Sequence, residues 1–210
     1  MKLTKGQGTR ETGGCWMVAA SMYNGEGWHD HPECVPPTIR HLCMTLNDMC
    51  SNGEREALIG PHLFTPMGRD NSKESEHARA NLCADWAVRR YALGTSIDAW
   101  AQRWLSGEDR TEATAYAAYV NAAAYATAYA AATTAAAAAA RAAAYARDAA
   151  RDAAAATAAC AACAAAADAA GDKQALLDLI LECCAIGAAP PELDPKRVNE
   201  IVCKLEEAAK

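Results

Sequence analysis

Phenylalanine is nearly absent from this chain, and glycine and proline are absent from a long part of it. The 210 residues include one Phe, so five Trp and seven Tyr supply most of the aromatic volume. Residues 108–170 contain no Gly and no Pro, and five of the Tyr lie among them. The usual helix breakers are therefore excluded from that region, and residues 1–105 must supply most of an ordinary core of large side chains.

The sequence also lacks the stretches typical of a secretory signal or a membrane span. Residues 1–14 are polar and Gly-rich without an apolar centre. The most apolar window, residues 153–167, is shorter than the roughly 20 residues that a membrane span needs. The net charge of −6 gives no general attraction to nucleic acid or anionic lipid, and ten Cys without a signal indicate reduced thiols. We therefore expect a cytoplasmic protein with no membrane partner and no nucleic acid.

Alanine dominates the region that lacks Gly and Pro. It occupies 38 of the 58 positions from residue 113 to residue 170, and helix is the only regular structure that such a composition favours. A single helix over residues 108–170 would be about 95 Å long, whereas a compact chain of this length has a radius of gyration of roughly 17 Å. The adjacent β-branched residues Thr133 and Thr134 predict a break, after which bare alanine faces can pack closely.

The remaining sequence predicts further helices. Trp16, Ala19, Ala20 and Tyr23 follow helical spacing up to Asn24-Gly25, and no strand-like alternation is present. We predict an all-α fold. Its parts are an N-terminal helical module over residues 1–107, an alanine-rich segment over residues 108–171 packed as a hairpin or bundle, and two C-terminal helices over residues 172–210.

A loop between the first two predicted helices carries the best metal candidates, His29, His31 and Cys34. The His-x-His spacing places both imidazoles on one side of an extended loop, and a thiolate completes a ligand set that zinc accepts. His41, Cys43 or Cys50 would be the fourth ligand. The structural alternative is that the histidines brace the helix near Pro36 while the cysteines pack in its core. Apart from this zinc hypothesis we predict no cofactor.

A second group of polar and aromatic residues lies on otherwise apolar helices and in the same loop. Aromatic faces and paired charges suit a small polar molecule or nucleotide, and Asp85 and Arg89 are spaced to pair along one helix face. The structural alternative is an ion pair and a cap that tie helices together. The candidate ligand-binding residues are Trp28, His31, Asn47, Asp48, Asp85, Trp86 and Arg89.

The N-terminal half also resembles a known family. The matching residues are Gly14-Cys15, Glu26-Gly27-Trp28, Asp30-His31-Pro32 with Cys34 and Pro37, Leu46-Asn47-Asp48, Met67-Gly68 and Ala84-Asp85-Trp86-Ala87-Val88-Arg89. In residues 12–105 the chain resembles a functionally uncharacterised family of small helical proteins from actinobacteria and their phages. The resemblance implies a module with variable alanine-rich extensions and brings no catalytic residues, and His29 is not part of its pattern.

These patterns favour association over catalysis. We expect a non-enzymatic helical protein whose alanine-rich helices mediate self-association or binding to another helical protein, with Tyr residues as anchors. The alternative is a phage or bacterial protein that binds a small molecule, such as a nucleotide signal, in a pocket of the N-terminal module. An enzyme that uses the same residues is the third hypothesis.

Overall fold

The computed structural model describes residues 3–9, 11–128, 138–144, 146, 172–187 and 192–208. The chain divides into two compact units. Residues 1–75 and 167–210 form the first unit, and residues 76–166 form the second. The sequence predicts boundaries after residues 107 and 171, where the composition changes. The two units of the structure are instead defined by packing, and the first unit contains both the N-terminal and the C-terminal residues.

Helices make up nearly all of the regular structure that is described. Two short strands, β1 (Gly8–Thr9) and β2 (Gly13–Gly14), pair antiparallel with Gly8 opposite Gly14. The predicted all-α class is confirmed, and the predicted break at Thr133-Thr134 lies outside the described residues. In chain order the helices are α1 (Trp16–Asn24), α2 (Pro37–Met49), α3 (Asn52–Glu54), a π-helix (Arg55–Ile59), a 3₁₀ helix (Gly60–His62), α4 (Lys73–Tyr91), α5 (Asp98–Ser106), α6 (Glu112–Ala128), α7 (Lys173–Ala185) and α8 (Pro195–Ala208).

Helix α1 is the centre of the first unit. Its residues from Trp16 to Ser21 are all buried, and the helix packs against β2, α2 and α8. A helix that is apolar all round requires neighbours on every side, and elements from both ends of the chain supply them here. The helix ends at Gly25, whose φ of 82° lies in the left-handed region. Glycine reaches this conformation without a steric penalty, as the Asn24-Gly25 pair predicts.

Helices α2 and α7 pack together and complete this core. Helix α2 begins at Pro37, and its residues Ile39, Leu42, Cys43 and Leu46 are fully buried. Helix α7 is capped by Asp172, whose carboxylate accepts a hydrogen bond of 3.0 Å from the amide of Ala175. Its buried side chains are Leu176, Leu177, Leu179, Ile180, Cys183 and Cys184.

The second unit buries two Trp residues and many small side chains. Trp104 of α5 is fully buried, and its ring lies 5.7 Å from that of Trp100. Helix α4 contributes buried residues at helical spacing, which are Arg79, Ala80, Cys83, Ala84, Ala87 and Val88. The Arg79 guanidinium lies 2.8 Å from the Glu76 carboxylate, as a buried cation requires an anionic or hydrogen-bonding partner. Residues 138–144 are helical, and Ala139, Ala142 and Ala143 among them are fully buried.

Candidate functional site

Helix α6, at the start of the alanine-rich region, has one buried face and one exposed face. It starts at Glu112, after Thr111, whose hydroxyl accepts a hydrogen bond of 3.3 Å from the amide of Thr114. Ala115, Ala118 and Ala122 are buried in the second unit. They lie within about 60° of one another around the helix. One alanine face of α6 is therefore sheltered inside a single copy of the chain.

The opposite face of α6 is apolar and exposed. Tyr116 is 52% exposed and Val120 is 44% exposed, and Ala113 and Ala117 beside them are exposed as well. These four residues, which we call the α6 stripe, follow the spacing i, i+3, i+4 and i+7 and lie within about 100° around the helix. A helix with apolar residues on all sides is normally buried on all sides. The α6 stripe is thus an apolar helix face that is exposed to solvent in the described chain.

Charge is missing from this helix beyond its first residue. Residues 113–128 contain no Asp, Glu, Lys, Arg or His. Glu112 lies in the first turn, where a carboxylate is favoured by the positive end of the helix dipole. The ring of Tyr116 lies 6.2 Å from that of Tyr119, so the aromatic part of the stripe extends toward the half-buried Tyr119. The stripe can therefore be covered by another apolar surface without desolvating a charge.

The predicted metal residues have other partners. His31 Nδ1 lies 2.6 Å from the Asp30 carboxylate, and His29 Nε2 lies 3.6 Å from that of Glu26. Burial, with a further contribution from Glu26, raises the pKa of the Cys34 thiol to about 12, which disfavours the thiolate that zinc needs. Among the described residues no group of three or more His, Cys, Asp and Glu side chains is arranged to hold a metal ion. The zinc hypothesis gains no support from this geometry.

Of the possible fourth ligands, Cys43 and Cys50 are buried and His41 is half-buried. Burial raises the pKa of the Cys43 thiol well above its usual range. Burial also lowers the pKa of His41, with smaller effects from Arg40 and His31. Buried cysteines of this kind pack as small apolar residues.

Glu26 makes several of the hydrogen bonds that hold the loop between α1 and α2. Its carboxylate accepts hydrogen bonds from the amides of Glu33 at 2.8 Å and Cys34 at 3.3 Å, and from the Asn24 side chain at 2.6 Å. Burial opposes the charged form, but these hydrogen bonds outweigh it and lower the pKa of Glu26. Sequence reasoning missed this role, although Glu26 is among the residues that carry the family resemblance.

The predicted ligand-binding residues are divided between the two units. Trp28, His31, Asn47 and Asp48 belong to the first unit, and Asp85, Trp86 and Arg89 belong to the second. Within the first unit the Asn47 side chain makes structural hydrogen bonds. Its Oδ1 accepts from the amide of Trp16 at 3.3 Å, and its Nδ2 donates to the carbonyl of Thr4 at 2.9 Å.

The neighbouring Asp48 and Trp28 differ from Asn47. Asp48 is exposed, and its carboxylate accepts a hydrogen bond of 2.9 Å from the amide of Gly6. The half-buried Trp28 lines a cleft of about 550 Å³ together with Met22, Ile201 and Lys204. Its indole Nε1 is buried and finds no hydrogen-bond partner in the described part of the chain. Trp28 is therefore a predicted ligand-binding residue that does line a cleft.

In the second unit Asp85 is a structural anchor. Its carboxylate accepts hydrogen bonds of 2.9 Å from Trp104 Nε1 and 2.9 Å from Arg110 Nη2, while the predicted partner Arg89 lies at 3.9 Å. The predicted Asp85–Arg89 pair is therefore present but long, and the shorter contacts tie α4 to α5 and to the segment before α6. Trp86 packs under the guanidinium of Arg90, which lies 5.3 Å from its ring centroid.

Sequence reasoning missed a second cleft of the first unit, which lies beside α8. It has a volume of about 780 Å³ and is lined by residues from the π-helix to Arg69 and from residue 193 to Val202. The sequence gives no local signal for it, because its two walls are more than 120 residues apart along the chain. We call it the α8 cleft.

Comparison with known proteins adds no relatives. The chain matches no protein-family model, no curated protein and no solved structure. The resemblance of residues 12–105 to the actinobacterial and phage family thus stays a prediction. Among the described helices none is both long and apolar enough to cross a membrane.

Proposed function

We propose that this chain self-associates, with the α6 stripe as the contact surface and a second copy of the chain as its occupant. The observation that carries the proposal is the exposure of Tyr116 and Val120 on a helix whose opposite face is already buried. A contiguous apolar patch that is exposed on a protein surface often marks an interaction site. Because Ala115, Ala118 and Ala122 are sheltered within one copy, the proposed contact uses the opposite face of α6.

The shape of the stripe favours a second copy as the occupant. Tyr116 and Val120 alternate along the helix with the small residues Ala113 and Ala117. In a two-fold pair, each large side chain of one copy can fill the space over a small side chain of the other, because both copies present the same surface. A charge-free stripe also brings no like charges together, although the chain carries a net charge of −6.

The expected association is weak when α6 acts alone. A 17-residue helix is about 26 Å long, and one helix face of this length buries less than the roughly 800 Å² per partner of a standard interface. We therefore expect a dimer whose population depends on protein concentration, with a Kd on the order of 1–100 micromolar. The proposal assigns no catalytic role.

Sedimentation equilibrium of the full chain over a wide concentration range tests the proposal. Val120→Glu should raise the Kd about a hundredfold, because a two-fold interface contains the substitution twice and each copy opposes association by about 1.4 kcal/mol or more. Asn121→Glu is the matched control, since Asn121 is exposed and lies about 90° from the centre of the stripe. A wild-type chain that stays monomeric at several hundred micromolar would contradict the proposal, as would equal Kd values for the two variants.

A further inference from the structure

Glycine follows asparagine at two places in this chain, Asn24-Gly25 and Asn52-Gly53. Asparagine in this position can lose its side-chain amide without an enzyme, when the backbone nitrogen of the next residue attacks the side-chain carbonyl carbon. Glycine permits the attack best because it carries no side chain beside that nitrogen. Both pairs belong to the first unit, but the groups that would react have different partners in the two pairs.

The Asn24-Gly25 pair is held in an unreactive arrangement. The Gly25 amide, which would be the nucleophile, donates a hydrogen bond of 3.2 Å to the carbonyl of Met22. The Asn24 Nδ2 donates a hydrogen bond of 2.6 Å to the Glu26 carboxylate. The negative charge of that carboxylate opposes the build-up of negative charge on the attacked amide group. Both contacts therefore slow the reaction at position 24.

The nucleophile of the Asn52-Gly53 pair is accessible. Both residues are exposed and lie in the first turn of α3, where backbone amides have no partner within the helix. The Ser51 side chain, which caps α3, accepts its hydrogen bond from the amide of Glu54. A Cβ atom added to Gly53 would meet no other atom within 4 Å. In the described part of the chain the Gly53 amide thus has no counterpart of the hydrogen bond that restrains Gly25.

Arg55 polarises the carbonyl group that would be attacked. This arginine is buried, and its Nε donates a hydrogen bond of 2.7 Å to the carbonyl of Asn47, which holds the guanidinium in place. Its Nη1 donates a hydrogen bond of 2.7 Å to Oδ1 of Asn52. A cationic donor on a carbonyl oxygen stabilises the negative oxygen that forms when a nucleophile adds to the carbon. Asn24 has a carboxylate as its partner instead.

We propose that Asn52 is a site of spontaneous deamidation and that Arg55 promotes the reaction and directs its product. The Gly53 nitrogen loses its proton to solvent and bonds to Cγ of Asn52, the bond from Cγ to Nδ2 breaks, and the amide nitrogen takes up a proton and leaves as ammonia. Water then opens the resulting succinimide. Because Arg55 contacts the oxygen on Cγ, water adds mainly at Cγ and gives aspartate rather than isoaspartate.

The backbone around Asn52 must rotate to bring the two reacting atoms together. Helix α3 contains three residues, and the local opening of a single exposed turn costs far less free energy than global unfolding. Arg55 is anchored outside this turn by its bond to Asn47, so it can hold the Asn52 side chain while the backbone moves. The proposal does not depend on the α6 stripe, which belongs to the other unit.

The product carboxylate has opposite surroundings at the two positions. At position 52 it would lie beside the Arg55 guanidinium and in the first turn of α3, and both the cation and the helix dipole stabilise a negative charge there. At position 24 it would lie against the Glu26 carboxylate, which bonds the loop between α1 and α2. The fold therefore accommodates the modification at Asn52 and opposes it at Asn24.

The test is to incubate the full chain in mildly alkaline buffer and to follow both asparagines by peptide mapping and mass spectrometry. In the folded chain we expect Asn52 to convert at least about tenfold faster than Asn24. In guanidinium chloride, where neither environment persists, the two rates should agree within about threefold. The ratio of aspartate to isoaspartate at position 52 should be higher in the folded chain than in the unfolded one.

Three outcomes of this experiment would overturn the proposal. The first is no conversion of Asn52 in the folded chain over a period in which the unfolded chain converts. The second is an Asn24 rate that equals or exceeds the Asn52 rate in the folded chain. The third is the same product ratio in the folded and the unfolded chain, which would remove the role of Arg55.

Variants test the reaction route and the surroundings of the product separately. Gly53→Ala should slow the conversion of Asn52 at least several-fold by hindering the attacking nitrogen, and open space at Gly53 allows the substitution. Asn52→Asp should keep or raise the thermal midpoint of unfolding, whereas Asn24→Asp should lower it. Equal conversion rates of Gly53→Ala and the wild type would contradict the succinimide route. Equal losses of midpoint in the two Asp variants would show that Arg55 does not stabilise the product.

Discussion

The two units of this chain bury their interiors with different side chains. The core of the first unit contains large side chains, among them Trp16, Leu42, Leu46 and Ile180. The described buried residues of the second unit are mainly alanines, with Trp100 and Trp104 as the largest side chains among them. These alanines are Ala80, Ala84, Ala87, Ala92, Ala101, Ala115, Ala118, Ala122, Ala139, Ala140, Ala142, Ala143 and Ala146. Alanine leaves no side-chain bulk between helices, so their backbones can approach closely. Large side chains instead stabilise by filling volume between elements that stand further apart.

This difference predicts opposite sensitivities. A core of large side chains loses stability when a side chain is shortened, because the loss leaves a cavity. A core of alanines has almost nothing to shorten, but it has no room for an added methylene group. The two kinds of interior can therefore be distinguished by substitutions in opposite directions, one in each unit.

The largest effect should come from shortening a core residue of the first unit. Leu42 is fully buried on the face of α2 that contains Ile39 and Leu46, so Leu42→Ala should lower the free energy of unfolding by about 3 kcal/mol. Leu93→Ala provides the control, because Leu93 is 42% exposed and its substitution should change stability by about 0.5 kcal/mol or less. Urea unfolding followed by circular dichroism measures both, and equal effects would mean that Leu42 is not in a packed core.

Enlarging a residue in the alanine interior should have the next largest effect. Ala143 is fully buried, and Ala143→Leu should destabilise the second unit by about 1–3 kcal/mol because the larger side chain forces neighbours apart. Ala78→Leu is the matched control, since Ala78 is exposed on α4 in the same unit and Leu and Ala have similar helix propensity. Both variants are compared by thermal unfolding at low protein concentration. If Ala143→Leu stabilises the chain, the alanine interior contains empty space and the comparison between the units fails.

Local sequence signals predicted the helices well because those signals act within a few residues. Gly25 ends α1, Pro37 begins α2, and the Ser72 hydroxyl accepts a hydrogen bond of 3.2 Å from the amide of Ser75 at the start of α4. Helix α5 is different, because it begins at Asp98 with no side-chain cap. The Asp98 side chain accepts a hydrogen bond of 2.7 Å from the amide of Gly94, which lies before the helix.

The partners of the polar residues could not be predicted in the same way. The spacing of four residues predicted that Asp85 pairs with Arg89, but the shortest contacts of Asp85 are with Trp104 and Arg110. Asn47 contacts Thr4, 43 residues earlier in the chain. Helical spacing fixes which face a residue occupies, whereas the packing of distant elements decides what that face meets. For the same reason the sequence could not show the α8 cleft, which is built by two segments more than 120 residues apart along the chain.

The smallest predicted effect concerns the ion pair that joins two distant segments of the first unit. Lys173, at the start of α7, lies 2.8 Å from the carboxylate of Glu54 in α3. The hydrogen bond from Lys173, together with those from Ser51, lowers the pKa of Glu54 from about 4.5 to about 2. A carboxyl whose pKa is depressed in the folded state adds stability above its unfolded pKa. This contribution should decline as the pH falls from about 4.5 and should be lost below about 2.

The Lys173→Met variant tests this assignment by carboxyl NMR titration of Glu54. Its pKa should rise toward the usual value but stay below it, because the amide of Ser51 still donates a hydrogen bond of 2.7 Å to Glu54. Lys204→Met is the control, since the Lys204–Glu200 pair at 2.5 Å lies within the exposed surface of α8 and its removal should leave Glu54 unchanged. High salt should weaken the effect of Lys173, because exposed charges are screened. A wild-type Glu54 that titrates near 4.5 would show that the pair does not persist in solution, and the α3–α7 contact would then depend on packing alone.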